Sequence, residues 1–155
     1  MEELGTGKRL YFFVIYQLNG RQSCIQCGHA KGEFILKYHK DDVIFNEILD
    51  FLKDHKTWVV LDGGTTNNNP NKLGTINILK NQFEEQGIPF AEFYEEDLND
   101  ALTAFCFLVD ECVYGLPRNI PMDEYDVWRE DMIKIIGEKN MFIYDMIKDK
   151  PLAKN

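Results

Sequence analysis

The chain has 155 residues, of which 45% are hydrophobic, and it carries a formal net charge of −9. This length allows a single domain that buries about two thirds of its unfolded surface, and no apolar run approaches the ~18 residues that a membrane-spanning helix needs. A protein that holds long RNA through its phosphates needs a basic surface, so the net charge argues against extensive contact with tRNA.

A buried strand followed closely by a helix opens the predicted fold. Residues 10–16 form a continuous apolar run, typical of a central strand, and they lack a small-residue cleavage site after them, which argues against a signal peptide. Residues 23–38 repeat apolar side chains at helical spacing. The polar turn between these elements should present unpaired N–H groups at a helix amino end, where anions bind. We expect ligand contacts from Gly20, Arg21, Gln22 and Ser23.

The next segment combines a helix, a strand and a loop that could hold a phosphate. Either Asp41 or Asp42 can cap a helix that runs through His55, and residues 57–61 form a second strand. Residues 62–72 are rich in turn-forming residues. Glycines can expose consecutive N–H groups there as an anion nest, and threonines add hydroxyl donors; a flexible connector is the alternative. The candidate ligand-binding residues of this loop are Gly63, Gly64, Thr65, Thr66 and Asn67.

The following elements complete a small α/β domain. A helix over 73–86 ends near Gly87, and strands follow over 90–94 and 101–109. The order of elements predicts a four-stranded mixed sheet with helices on both faces, and we assign residues 8–110 to this domain.

The last part of the chain, residues 111–155, is predicted to be a helical extension packed on the same domain. Pro117 and Pro121 mark a linker, and helices follow over 123–136 and 140–148. The aromatic and methionine side chains of these helices indicate either core packing or a dimer face, and we expect a homodimer. These side chains belong to Tyr125, Trp128, Met132, Phe142 and Met146.

The four cysteines do not have the spacing of a metal site. Cys24 and Cys27 form a C-x-x-C motif close to His29, but they are expected on a helix and not in a zinc knuckle. Cys106 is expected within a strand, and Cys112 follows it. We therefore expect reduced structural thiols, with neither a metal nor a cofactor, and we interpret His29 as a packed or capping side chain.

Two motifs resemble the type 2 peptidyl-tRNA hydrolases, the archaeal and eukaryotic kind. Residues 24–30, CIQCGHA, resemble the start of that family's first helix, which reads roughly A-A-Q-C-S-H-A. Residues 87–96, GIPFAEFYEE, resemble its third strand, roughly G-L-P-Y-A-L-I-R-D-A-G. The order of strands and helices over 8–110 is similar as well. The resemblance implies the family's fold and an esterase that releases peptides from tRNA.

The resemblance also implies catalytic residues. Glu95 lies where the family has its functional aspartate, and Thr103 resembles its functional threonine. Gln22 replaces a lysine held to serve catalysis, and Arg21 lies one residue earlier. Ester hydrolysis needs a group that orients or deprotonates water and positive charge for the developing oxyanion. Glu95 would fill the first role, and Arg21 with the helix N–H groups would fill the second. Gln26 is a further ligand-binding candidate. The simpler alternative is that Glu95 belongs to a solvated acidic turn and that Arg21 is merely exposed.

Two functions remain open from the sequence. One is a peptidyl-tRNA hydrolase-like esterase that acts on a nucleic-acid or nucleotide ester, with the end of a tRNA as its partner. The other is a non-catalytic relative that binds or sequesters a phosphorylated, nucleotide-like small molecule. The resemblance favours the first, whereas the replaced lysine and the acidic residues, eighteen over 61–155 against nine basic ones, favour the second. Without a membrane span or a signal peptide, we expect a cytoplasmic protein.

Overall fold

The computed structural model describes residues 7–154 and contains a four-stranded mixed sheet. The strands, in chain order, are β1 (Lys8–Ile15), β2 (Trp58–Gly64), β3 (Ala91–Glu95) and β4 (Ala101–Asp110). Their order across the sheet is β2-β1-β4-β3, with β2 parallel to β1 and β4 antiparallel to both of its neighbours. The expected α/β class and mixed sheet are thus confirmed.

Helices cover both faces of this sheet. The α-helices are α1 (Gly20–Tyr38), α2 (Asp42–Asp50), α3 (Thr75–Glu85), α4 (Glu111–Tyr114), α5 (Met122–Ile136) and α6 (Glu138–Ile147). On one face α1 and α2 pack with Leu10, Phe12 and Val14 of β1, and on the other face α3 and α6 pack with the side chains that alternate with these. Because both faces are covered, β1 needs apolar residues at successive positions, which explains its continuous apolar run.

The first helix begins earlier than its apolar periodicity predicts. Asn19 caps α1: its Oδ1 accepts the N–H of Gln22 at 2.8 Å, and Gln22 Oε1 accepts the N–H of Asn19 at 3.1 Å. This reciprocal pair is a capping box, which starts the helix at Gly20 and not at residue 23. The four polar candidates of the predicted turn therefore lie within the first turn of α1: Gly20, Arg21, Gln22 and Ser23.

The second predicted helix is divided into two segments. It begins as α2 and continues as a π-helical turn, Phe51–His55, which ends where Lys56 adopts a left-handed backbone with φ 63°. A short 3-10 turn, Glu96–Leu98, joins β3 to β4, and α4 follows β4 directly. The apolar pattern does not distinguish such short helical turns from loops.

The second strand is longer than predicted and includes two glycines that the sequence placed in the following loop. In the pairing with β1, Val14 faces Asp62 and Ile15 faces Gly64, so Gly63 is the extra residue of a β-bulge. A Cβ atom at Gly63 would lie 3.1 Å from the carbonyl oxygen of Val14. Gly64 has φ +81°, a conformation that favours glycine.

The C-terminal helices share a core with the sheet. Met141, Tyr144 and Ile147 of α6 are buried in the cluster that contains α3 and the facing side chains of β1. Most of the aromatic and methionine residues of uncertain role pack against this cluster, in agreement with the core-packing interpretation: Trp128, Met132, Phe142 and Met146. Within residues 7–154, no helix combines the length and the apolar character that a membrane crossing requires.

The segment after α6 covers the outer edge of β2. The N–H of Asp62 donates to the carbonyl of Pro151 at 2.9 Å, and the N–H of Ala153 donates to the carbonyl of Val60 at 2.9 Å. Leu152 forms an antiparallel bridge with Leu61 between these two bonds. Backbone groups at this edge of the sheet are therefore paired.

Candidate functional site

The polar candidates meet at one end of the sheet. The strand directions bring the carboxyl ends of β1, β2 and β3 to the same end as the beginning of β4. The amino end of α1 follows β1 after a short connection and lies at this end as well. Ligands of open α/β sheets bind outside the carboxyl ends of strands, so the geometry agrees with the position expected for a site.

A β-bulge in β4 directs Thr103 toward α1. In the pairing of β3 with β4, Phe93 faces Ala104 and Tyr94 faces Leu102, so Thr103 is the extra residue. A bulge interrupts the alternation of side chains along a strand and re-aims the extra one. As a result Leu102 stays in the core beside α3, whereas Thr103 and Ala104 both face α1.

Gln26 of α1 joins Thr103 to Glu95 through its side-chain amide. The Thr103 hydroxyl donates to Gln26 Oε1 at 2.6 Å, and Gln26 Nε2 donates to Glu95 Oε2 at 2.9 Å. Thr103 is fully buried and Gln26 is 7% exposed, whereas Glu95 is half-buried. Because Oε1 accepts the hydroxyl proton, the amide NH₂ is oriented toward the carboxylate. Three residues that the sequence named as separate candidates are thus joined by a series of hydrogen bonds, Thr103–Gln26–Glu95, here called the Gln26 chain.

The Glu95 carboxylate is stabilised in its ionised form. The bond from Gln26 is the main cause that lowers the pKa of Glu95, and the N–H of Asp97, 3.4 Å from Glu95 Oε1, lowers it further. The nearby His29 acts in the same direction, while partial desolvation opposes them. Glu95 is therefore charged at neutral pH and can orient a water molecule or accept a proton.

An aromatic pair stands beside this carboxylate. The imidazole of His29, one helical turn after Gln26, stacks on Phe93 with ring centroids 4.5 Å apart and an interplanar angle of 21°. Phe93 precedes Glu95 by two residues on β3, so both side chains lie on the α1 side of the sheet. His29 is an exposed residue, so this stacking packs its ring on Phe93 at the surface and not within the core.

The first turn of α1 uses part of its polar capacity internally. The N–H and the side-chain oxygen of Gln22 are both engaged with Asn19, so Gln22 supplies neither charge nor a mobile side chain at this helix end. Arg21 is exposed. Ser23 is buried, and its hydroxyl has no hydrogen-bond partner among residues 7–154. Because buried hydroxyls are normally bonded, Ser23 is a candidate donor for a ligand at this helix end.

The loop that was expected to bind phosphate directs many of its donors inward. The N–H groups of Asn67, Asn69 and Asn71 donate to the side-chain oxygens of Asn77, Asn67 and Asn69, at 2.9–3.0 Å. Asn77, on α3, is 5% exposed and also donates to Asn68 Oδ1 at 2.9 Å. The loop is thus organised around one buried amide.

The remaining candidates of this loop are bonded in the same way. The N–H of Gly64 donates to Asp62 Oδ1 at 2.8 Å, and Thr65 Oγ1 accepts the N–H of Thr75 at 3.1 Å. The Thr66 hydroxyl lies 3.5 Å from Asn77 Oδ1. These groups could serve a phosphate only if the internal bonds opened. The prediction of an anion nest stays a prediction, and the hydrogen bonds fit a structured connector.

Two of the four cysteines, Cys27 and Cys106, are buried. Burial raises the pKa of the Cys27 thiol to about 12 and that of Cys106 well above its ordinary value, so both stay protonated. Cys24 and Cys112 are exposed and free. Over residues 7–154, no group of three or more His, Cys, Asp or Glu side chains is arranged to hold a metal ion.

Three cavities lie away from the Gln26 chain. One of about 280 Å³ opens at the opposite end of the sheet, where it is lined by Lys8, Asp110 and Lys139 around apolar side chains. Two others, of about 250 and 300 Å³, lie near α5 and α6 and beside the start of β3. Glu95 and Thr103 line none of these three.

Neither a family model nor a curated protein matches the chain.

Proposed function

We propose that the chain is an ester hydrolase similar to the type 2 peptidyl-tRNA hydrolases, with its reacting centre at Glu95. The observation that carries the proposal is the hydrogen-bonded chain from buried Thr103 through Gln26 to this half-buried carboxylate. Buried polar side chains that fix the direction of one exposed carboxylate provide the preorganisation that catalysis requires. The resemblance reaches the same three residues independently of the contacts.

Each residue has a definite role in the proposed reaction. Glu95 orients a water molecule and accepts its proton as the water oxygen bonds to the ester carbonyl carbon. When the tetrahedral intermediate collapses, the bond from this carbon to the alcohol oxygen of the nucleotide breaks, and Glu95 returns the proton to the departing hydroxyl. Gln26 is a positioning residue, because its Nε2 holds Glu95 Oε2 while Thr103 fixes the amide. Arg21 and the first N–H groups of α1 stabilise the developing oxyanion, since this helix end carries partial positive charge. Ser23 adds a buried hydroxyl at the same helix end.

The charge of the chain favours a small part of a nucleic acid as the substrate. A net charge of −9 repels a long phosphate backbone, whereas a nucleotide ester or the terminal nucleotide of a tRNA needs few cationic contacts. We therefore propose that recognition concentrates on the ester and its nearest phosphate. Position 22 is a glutamine and not a lysine, so Arg21 would provide the positive charge for both the ester oxyanion and the nearest phosphate.

Hydrolysis assays test this function directly. Purified protein is mixed with a peptidyl-tRNA and, in parallel, with an N-acetylaminoacyl ester of adenosine, and released tRNA or adenosine is measured. Glu95→Gln should lower kcat by ~100-fold or more, the usual scale for a general base. Glu96→Gln is the matched control, since Glu96 is an exposed neighbour with an equal change in charge. Failure of wild-type protein to hydrolyse either substrate at high enzyme concentration contradicts the proposal.

A non-catalytic binding protein is the second candidate, and one observation favours it. The Gln22 side chain is bonded within the capping box where the related enzymes need a lysine, so the oxyanion lacks that charge. The same helix end would then bind a phosphorylated, nucleotide-like molecule. Heat release and mass spectrometry of co-purifying molecules would reveal it. Arg21→Ala should weaken its binding roughly ten- to hundredfold, because one charge-assisted bond is lost.

A further inference from the structure

The two outer edges of the sheet differ in how they are covered. At β2, the segment after α6 pairs with the backbone on both sides of Leu152. At the other edge, β3 pairs with β4 alone among the described residues. An uncovered strand edge is a template for an additional strand.

The hydrogen bonds identify which groups of β3 face outward. The carbonyl oxygen of Phe93 lies 3.4 Å from the side-chain hydroxyl of Thr103 on β4, so the backbone groups of Phe93 point toward β4. In an antiparallel ladder alternate residues point to opposite sides, which leaves Glu92 and Tyr94 facing outward. Phe90, in phase with these two, confirms the alternation, because its backbone N–H and carbonyl bond to the side chain of Tyr38 and not to β4.

A groove of about 300 Å³ continues from this edge past the start of β3. Its apolar wall includes Ile44, Ile88 and Phe90, and its rim carries the carboxylates of Glu92 and of Glu84, which pairs with Lys80 at 3.7 Å. Two lysines border the groove and are engaged with its backbone oxygens: Lys37 donates to the carbonyl of Phe90 at 2.9 Å and Lys139 to that of Gly87 at 3.5 Å. The groove thus offers apolar surface and negative charge together.

We propose that the edge of β3 binds an extended, basic peptide segment of another protein as a fifth strand of the sheet. Backbone bonds to Glu92 and Tyr94 align the peptide. An apolar side chain of the peptide enters the groove beside Ile88, and a lysine or arginine pairs with Glu84 or Glu92 on the rim. This activity is separate from ester hydrolysis and does not depend on it.

Charge decides between a foreign peptide and a second copy of the chain. Pairing two β3 edges would bring both copies of Glu92 close together across the new interface. Burial is the main cause that raises the pKa of Tyr94, and the carboxylates of Glu92 and Glu84 raise it further. Like charges on neighbouring strands destabilise a sheet, so a basic partner is favoured.

The experiment uses the full chain and a short capped peptide of alternating lysine and valine, titrated by NMR at low salt. Binding should slow hydrogen exchange at the amides of Glu92 and Tyr94 in the wild-type protein. Tyr94→Pro, which removes the outward N–H but no bond to β4, should weaken binding roughly tenfold or more. Tyr94→Ala, the matched control, keeps the N–H and should stay within about threefold. Glu92→Lys should weaken the binding of the lysine peptide and should not weaken the binding of a neutral threonine–valine peptide.

Three results would overturn the proposal. The first is the absence of any chemical-shift change with each peptide at concentrations up to ~1 mM, since a weaker Kd would not indicate a specific site. The second is peptide binding without slower hydrogen exchange at the amides of Glu92 and Tyr94, which would place the peptide elsewhere. This result is obtained with the wild-type protein alone. The third is self-association of the wild-type protein that Tyr94→Pro abolishes, because the edge would then belong to a second copy.

Discussion

The Gln26 chain and the asparagine-rich loop lie at the same end of the sheet, but they use polar groups in opposite ways. Gln26 connects residues that are far apart in sequence and leaves a carboxylate half-exposed. The loop connects its own residues to one another and to Asn77, so many of its donors point inward. Residue types that can bind a ligand therefore do so only where the fold leaves a group unsatisfied.

The energetic consequence of this difference is that the two regions should respond differently to substitution. Changes in the loop should alter the stability of the fold, because its hydrogen bonds hold α3 to the end of β2. Changes in the Gln26 chain should alter both stability and the chemistry at Glu95.

Gly74 is the position where the loop is most sensitive. A Cβ atom there would lie 2.6 Å from backbone atoms of Thr65, Thr66 and Asn67, so Gly74→Val must force the loop open. We expect a loss of about 3 kcal/mol or more in the free energy of unfolding, measured in urea. Gly32→Ala is the control, since nothing lies within 4 Å and alanine should stabilise the helix by roughly 0.5–1 kcal/mol. A tolerated Gly74→Val would contradict the loop's packing.

Thr103→Val keeps the shape of the side chain but removes its hydroxyl. Gln26 Oε1 then lies buried without its donor, which should cost ~1–3 kcal/mol in the free energy of unfolding. Under the proposed function kcat also falls, because the amide no longer fixes Glu95. Thr65→Val serves as the control at an exposed loop hydroxyl and should leave kcat unchanged. Equal kinetic effects of the two variants would remove the distinction between the regions.

Asn77→Ala tests whether the loop also binds a ligand. The variant leaves the N–H of Asn67 without its acceptor, and we expect a loss of about 1–2 kcal/mol in stability. The affinity for a co-purifying ligand or for the adenosine ester should change less than about twofold, as measured by calorimetry. A tenfold weaker affinity would instead assign the loop to the binding site, as the sequence suggests.

The pH dependence of stability tests the Glu95 end of the Gln26 chain. The pKa of Glu95 is lower in the folded protein than its ordinary 4.5, so ionisation stabilises the fold above that value and the contribution disappears as pH falls through the folded pKa. Gln26→Leu removes the main cause and should raise the pKa of Glu95. The variant should then lose less stability than the wild type on acidification below pH 4.5, in urea titrations at several pH values. An unchanged pH profile would show that Gln26 does not control the carboxylate.

Much of the fold follows from local sequence patterns. The apolar runs predict the four strands, and the spacing of apolar residues predicts the main helices, because both signals arise from one-sided or two-sided burial. The start of α1 was predicted too late because the periodicity begins inside the helix. Asn19 followed by Gln22 is the capping-box signal that marks the true start.

The site itself is only partly encoded in local patterns. The resemblance implies roles for Glu95 and Thr103 and matches a motif that contains Gln26, yet the bulge that turns Thr103 toward α1 depends on strand register, which a single sequence does not specify. The loop shows the opposite case. Its composition predicts a phosphate site, but the burial of Asn77 and the bonds it makes are tertiary effects.

The position of β1 at the centre of the sheet also bears on how the chain folds. This buried strand is made early during synthesis, but its neighbours are residues 58–64 and, much later, 101–110. Both pairings close long loops, and such non-local contacts slow folding. Until residue 110 has left the ribosome, one side of β1 has no partner strand. Newly made chains therefore expose this hydrophobic segment for much of their synthesis, and exposed apolar segments promote aggregation during folding.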